Sequence, residues 1–221
     1  MHLSSIIVAA GLGRRFGGKK QYRALKGKPL LFWPLELFKK LSDQVILVLP
    51  AGDIEPFKAR WAGKLKGITL TAGGEKRTDS VSNALSLLSS KNGLVAVHDG
   101  ARPLVNRETV LRCVREARKH GAAICAVPST DTVKISGKNG FTRKTVDRNT
   151  VWLVQTPQIF KKSILQKAYA KRGRLSATDD SGLVEKAGFK VKLVMGDYTN
   201  IKITGKKDLI IAEKLLCDRI K

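Results

Sequence analysis

Acidic side chains are scarce in this sequence: 18 Asp and Glu stand against 42 Lys and Arg, a formal net charge of +24 over 221 residues. That balance points to anionic partners, whether nucleic acid, a membrane surface or phosphorylated small molecules. The cations are spread through the chain rather than gathered in a tail, so a merely basic surface accounts for them equally well. Cysteine is rare too. Cys113, Cys125 and Cys217 are isolated, and no pair has the close spacing of a metal or redox motif, so they read as reduced thiols. No apolar run approaches the roughly 20 residues of a membrane span. The opening segment "MHLSSIIVAAG" lacks the basic start and long apolar stretch of a signal peptide. The expectation is a soluble, cytoplasmic protein. Aromatics make up only 6%, and no helix-turn-helix, zinc knuckle or ribonucleoprotein motif is present, which weighs against a nucleic-acid-binding module.

What the chain does have is alternation. The runs "SSIIVAA", "QVILVLP", "GITLTAG", "GLVAVHD" and "AAICAVP" each carry consecutive apolar or β-branched residues, the pattern of strands buried on both faces. Amphipathic segments separate them: "PLLFWPLELFKKL", "DIEPFKARWAGKL", "RTDSVSNALSLLSS" and "NRETVLRCVREARKH". In the third, Val81, Ala84, Leu85 and Leu88 fall on one helical face. Asn106, with Glu108 behind it, has the form of an N-cap with an acidic first turn. This order predicts an α/β fold with a mainly parallel sheet and helices on both faces. No repeat or low-complexity linker interrupts it, so residues 1–221 are expected to form one domain. After Pro128 the rhythm breaks. "DTVKISGKNGFTRKTVDR" places two strand-like arms around a Gly-Lys-Asn-Gly turn and is polar on both faces, which predicts a projecting hairpin.

In such sheets ligands gather outside the carboxyl ends of the strands. After the first strand come Gly11, Gly13, Arg14, Arg15, Lys19 and Lys20. The third glycine of a dinucleotide fingerprint is absent, because Phe16 holds that position. The loop still suits a triphosphate: glycines let backbone N–H groups approach phosphate oxygens, and Arg15 and Lys20 supply charge against what builds up on phosphorus. The second exit puts Gly73 and Gly74 before a helix start with Arg77, Asp79 and Ser80. An N-capped helix explains these residues as well as a base- or sugar-binding pocket does. The third, "VHDGARP", sets Asp99 at a strand end as a candidate magnesium ligand, with Arg102 as a phosphate-binding cation. His98 reads as a packed residue rather than a catalyst. Downstream, Arg148 and Thr156 lie near a return to the sheet, Thr178 and Asp179 begin a helix, and "NIKITGKKDL" puts Lys202 on a short strand before another helix.

Together these segments resemble the 2-C-methyl-D-erythritol 4-phosphate cytidylyltransferase family. The resemblance rests on "AAGLGRR", "KQY", "GGEKRTDSV", "VHDGARP", "DTVK", "TVDRNTVWLVQTPQIF", "TDDSG" and "NIKIT", in order and over essentially the whole chain. It implies a Rossmann-like nucleotidyltransferase fold and a homodimer joined through an arm at about residues 130–150. It also implies transfer of a cytidylyl group from CTP to methylerythritol phosphate, with Mg²⁺ or another divalent cation. By resemblance, Arg15 and Lys20 are catalytic, while Ala9, Ala10, Gly11, Gly13, Gly74, Arg77 and Ser80 bind the nucleotide. Asp99 organises the metal, and Arg102, Thr132, Arg148, Thr156 and Lys202 hold the sugar phosphate, part of it from the neighbouring subunit. Ribitol 5-phosphate cytidylyltransferase shares the loop and the arm and is the alternative. Three positions depart from the family pattern. Lys19 replaces a proline, Gly100 an alanine, and Thr199 an acidic residue for which Asp197, two places earlier, is the candidate substitute.

Overall fold

The computed structural model describes residues 2–89, 92–171 and 177–220. Strand β1 (His2–Val8) is followed by two 3₁₀ turns, Arg14–Phe16 and Lys20–Tyr22, and a small antiparallel ribbon of β2 (Ala24–Leu25) and β3 (Lys28–Pro29). Then come α1 (Phe32–Leu41), β4 (Gln44–Leu49), α2 (Ile54–Trp61), β5 (Ile68–Ala72), α3 (Arg77–Leu85), β6 (Gly93–Asp99), α4 (Arg107–His120) and β7 (Ala122–Pro128). The hairpin of β8 (Val133–Ser136) and β9 (Thr142–Val146) leads to β10 (Trp152–Lys161), α5 (Lys162–Ala170), α6 (Asp180–Lys186), β11 (Lys192–Met195) and α7 (Lys206–Ile220). The short strand expected around Lys202 does not form: Ile203 N donates to Ala101 O at 2.8 Å, but no ladder follows from it.

Seven strands form one sheet in the order β11-β7-β10-β6-β1-β4-β5. All neighbours run parallel except β10, which is antiparallel to both β6 and β7. The chain builds outward from β1 through β4 and β5, then returns to place β6 on the other side of β1. Val8 at the end of β1 therefore sits level with both Val48 and Asp99. That reversal makes the crevice at the carboxyl ends of β1 and β6 the expected ligand site.

The apolar runs are strands because both faces of the sheet are covered, and their side chains alternate between two clusters. Ile7, Leu47 and Ala96 face Phe32, Leu35 and Phe38 of α1 and Val110 and Cys113 of α4. Ile6, Ile46, Val95 and Val97 face Val81 and Ala84 of α3, Leu165 of α5 and Val184 of α6. The predicted face of α3 holds, but the helix stops at Leu85; Leu88 packs on the same cluster from beyond its end, and Ser90 lies outside the described residues. Asn106 caps α4 by accepting from Thr109 N at 2.8 Å, and Asp179, rather than Thr178, caps α6 by accepting from Gly182 N at 2.9 Å. The three cysteines are free thiols, with Cys113 and Cys125 buried. Among the described residues no helix is long and apolar enough to cross a membrane.

A third, smaller cluster joins Phe16, Leu25 and Leu30 to Leu104, Ile203, and Ala212 and Leu216 of α7. Phe16 is 4% exposed. Where a dinucleotide-binding loop would carry its third glycine, this loop carries an apolar anchor into the C-terminal helix.

The β8–β9 hairpin is a sheet of its own. Asn139, at φ 56°, makes the turn with Gly140, and Phe141 at the tip is 77% exposed.

Candidate active site

Two cavities open at the carboxyl ends of the central strands. The first, about 330 Å³, lies between the β1 loop and the start of α3. Ala9, Ala10, Gly11, Gly13, Arg14, Arg15 and Lys20 line one side, and Gly74, Lys76, Arg77 and Ser80 the other. The second, about 610 Å³, is bounded by Arg102, Thr150, Trp152, Thr156, Gln158, Asp179 and Glu185. Arg77, Asp99 and Lys202 belong to both walls.

Glycine is required in the first cavity for steric reasons. Gly13 adopts φ +68°, and a Cβ there would fall 1.9 Å from the Gly18 carbonyl oxygen. The loop thus folds back on itself, with Gly17 N and Gly18 N both donating to Gly13 O. Gly74 is similarly pressed: a Cβ would meet that of Asp79 at 2.4 Å. Its N–H donates to Ser80 Oγ at 3.1 Å, and the Asp79 carboxylate accepts from Lys76 N at 3.1 Å. Capping and pocket formation at this helix start are the same set of contacts. Arg15 is exposed on the rim, and Lys20 enters from its own turn. Burial lowers the Lys20 pKa, and the charges of Lys202 and Arg15 push it down further.

Between the cavities runs a ladder of alternating charge. Asp180, fully buried, accepts from Arg77 Nη1 at 2.7 Å and from the Tyr169 hydroxyl at 2.5 Å. Arg77 Nε reaches Asp99 Oδ1 at 3.2 Å, and Lys202 Nζ reaches Asp99 Oδ2 at 2.7 Å. Burial alone would raise the Asp99 carboxyl; Arg77, Lys202 and Arg102 overcome that and hold it well below the usual carboxylate range. Behind it, Asp99 N donates to Thr156 Oγ1 at 3.0 Å. The Thr156 hydroxyl is 3.1 Å from His98 Nδ1, and His98 Nε2 is 3.1 Å from the Arg102 carbonyl. Because that carbonyl can only accept, Nε2 carries the imidazole proton and Nδ1 takes the one from Thr156. Thr156 thus supports Asp99 as well as lining the second cavity. His98 is fully buried, as its apolar setting predicts.

Arg102 is held through Nη1 to Asn200 O at 2.7 Å, while its buried Nε has no hydrogen-bond partner among the described residues. Thr132 and Arg148 stand apart. Both are exposed on the arm, Arg148 donating to Thr130 O at 3.2 Å, and neither lines either cavity. Asp197 stands apart as well. Its Oδ1 accepts from Thr199 N and Oγ1 and its Oδ2 from Asn106 Nδ2, so it braces the turn beneath α4 and faces neither cavity. Among the described residues no three His, Cys, Asp or Glu side chains gather as a metal cage. Asp99 offers one carboxylate, which fits a hard cation that takes its other ligands from phosphates and water.

A model of the family described as 2-C-methyl-D-erythritol 4-phosphate cytidylyltransferase matches residues 3–218. The chain belongs to this family. As a cytidylyltransferase it is an enzyme of isoprenoid precursor synthesis. A curated relative with the family's name, from Caldanaerobacter subterraneus subsp. tengcongensis, is 40% identical over 98% of this chain and 99% of its own length. One from Pelotomaculum thermopropionicum is 41% identical over 97% and 94%. Among solved structures, 4-diphosphocytidyl-2C-methyl-D-erythritol synthase from Anaerococcus prevotii superposes with a TM-score of 0.86 at 34% identity, covering 98% of both chains. The cytidylyltransferase from Thermus thermophilus gives 0.80 at 37% identity over 97% of this chain and 98% of that one. These neighbours share the mainly parallel α/β architecture.

Sequence reasoning placed this cytidylyltransferase's glycine loop, Lys20, Arg77, Asp99, Arg102 and Lys202 around one crevice, and the structure brings them together. It did not foresee Asp180 and Tyr169 as supports of Arg77. The only signal was a spare acid: in "TDDSG" one aspartate caps the helix, leaving the second to find a buried cation.

Proposed function

We propose that the enzyme joins CTP and 2-C-methyl-D-erythritol 4-phosphate across the Asp99 ladder, with CTP in the smaller cavity and the sugar phosphate in the larger. The observation that carries this reading is the shared wall of Arg77, Asp99 and Lys202 between two cavities of different lining. A phosphate oxygen of the sugar phosphate attacks the α-phosphorus of CTP. A new P–O bond forms, the α–β bridge breaks, and pyrophosphate leaves with its electron pair. The nucleophile is already an anion, so no general base is needed; catalysis lies in overcoming repulsion and holding attack in line.

In this scheme Ala9, Ala10, Gly11 and Gly13 present backbone to the triphosphate, and Gly74, Arg77 and Ser80 line the nucleoside side. Arg15 and Lys20 stabilise charge developing during transfer, and the anion restores the proton affinity that Lys20 has lost. Arg102, Thr156 and Lys202 receive the sugar phosphate. Thr132 and Arg148, outside this protomer's cavities, act from the arm of the second subunit of a homodimer. Asp99 holds Mg²⁺ or a similar cation, which when bound shields phosphate charge. The place of action is the cytoplasm.

The test is pyrophosphate release with CTP, ATP or GTP against methylerythritol and ribitol phosphates. We expect turnover with CTP and methylerythritol phosphate and little with the purines. Equal turnover with a purine nucleotide, or preference for the ribitol ester, would overturn the assignment.

A further inference from the structure

Lys20 does not sit on a strand end. It sits on a one-turn 3₁₀ helix, Lys20–Tyr22, between a glycine-rich loop and a two-residue strand. A short turn has little stiffness of its own, so something else must fix where the ammonium points. Gln21 contributes one tie inward: its side chain is buried and donates to Gly11 O at 3.2 Å.

The other two ties go to a single carboxylate on a different element. Asp53 closes the 3₁₀ turn that follows β4, and its side chain is 15% exposed. Its Oδ1 pairs with Lys19 Nζ at 2.5 Å, and its Oδ2 accepts from the Tyr22 hydroxyl at 2.8 Å. The Tyr22 ring packs on Phe57 of α2 with centroids 5.7 Å apart. Burial and the Asp53 hydrogen bond both raise the Tyr22 phenol, which keeps it a donor. Asp53 thus grips the residue before Lys20 and the residue two after it. It lines neither of the substrate cavities.

We infer that Asp53 is a positioning residue for the transfer reaction, clamping the Lys19–Tyr22 turn so that Lys20 meets the triphosphate in register. The inference rests on the role given to Lys20 above. Asp53 touches no substrate, and its whole effect passes through Lys20. Lys19 takes part in the clamp: where the resemblance leads one to expect a rigid proline, this chain ties the turn from outside by an ion pair.

The experiment is a kinetic double-mutant cycle, with thermal unfolding recorded for every variant. Asp53→Asn should lower kcat about 10- to 100-fold with little change in KM, the scale of an ångström-level misplacement. Tyr22→Phe, which keeps the ring on Phe57, should move kcat the same way by less. In a Lys20→Ala background Asp53→Asn should add less than about twofold, because the group it positions is gone. If Asp53→Asn fails to fold, the Lys19→Met, Tyr22→Phe pair removes both clamps and takes its place in the cycle. Wild-type kcat in Asp53→Asn beside a slow Lys20→Ala overturns this inference alone. So does a loss that multiplies fully with Lys20→Ala, as general destabilisation would give. Wild-type kcat in Lys20→Ala overturns the role of Lys20, and this inference with it.

Discussion

Acid should destabilise this protein through His98 before it does so through Asp99. Burial lowers the His98 pKa from 6.5 to about 4. The folded state therefore holds a neutral ring where the unfolded chain takes a proton, and stability falls as pH drops through 6.5, levelling near 4. Linkage with these two values gives a loss of about 1.8 kcal/mol between pH 7 and pH 5. Over the same interval the depressed pKa of Asp99 contributes almost nothing, because its unfolded value, 3.8, lies below the window. The assay is urea unfolding at pH 7, 6 and 5 for the wild type and for His98→Gln. Glutamine offers an amide N–H near the position of Nε2 to bond the Arg102 carbonyl, but it cannot titrate. The variant starts less stable, yet its free energy should change less with pH by about 1.8 kcal/mol. Equal slopes for the two proteins would refute the buried, neutral imidazole and, with it, the proton order assigned to the Thr156–His98–Arg102 relay.

Two further outcomes follow from the site. Asp197→Asn should leave activity unchanged across a magnesium titration while lowering stability by about 1–3 kcal/mol, since it sets an amide against the Asn106 amide; weakened magnesium dependence would instead restore Asp197 as a second acidic contact. Lys20→Ala and Arg148→Ala homodimers should each be nearly inactive, but co-expressed they should recover roughly a quarter of wild-type activity, because a mixed dimer gathers both lesions into one site. No recovery in a verified heterodimer would confine the arm to holding subunits together.

The legible parts of the sequence were those whose physics is local. Four strands announced themselves because a strand covered on both faces must be largely apolar, as Val45 to Leu49 are, while the half-exposed edge strand Ile68–Ala72 was read from Ile68, Leu70 and its β-branched threonines. The loop glycines and Asp99 were legible because strand exits in this topology are where ligands gather. The ribbon of Ala24–Leu25 with Lys28–Pro29 and the edge strand Lys192–Met195 escaped, being short and lacking a period. The site's supports escaped for a different reason. Asp53 and Tyr22 are 31 residues apart, and Arg77 and Asp180 103 apart. Such pairs leave no spacing to read, only an acid without a local task.

The charge ladder has a consequence for what the crevice rejects. Before substrate arrives, Lys202 and Arg77 are already matched to carboxylates, so the wall between the two cavities, unlike the rim of Arg15 and Lys20, is no open trap for anions despite the chain's +24 charge. A stray phosphate gains Lys202 only by leaving the buried Asp99 with one fewer partner. On the proposed role of Asp99, a nucleotide that arrives with its own counter-cation would offer it a replacement at the same moment. The ladder thus works as a lock on ion exchange, favouring an occupant that exchanges both signs of charge together over one that brings negative charge alone.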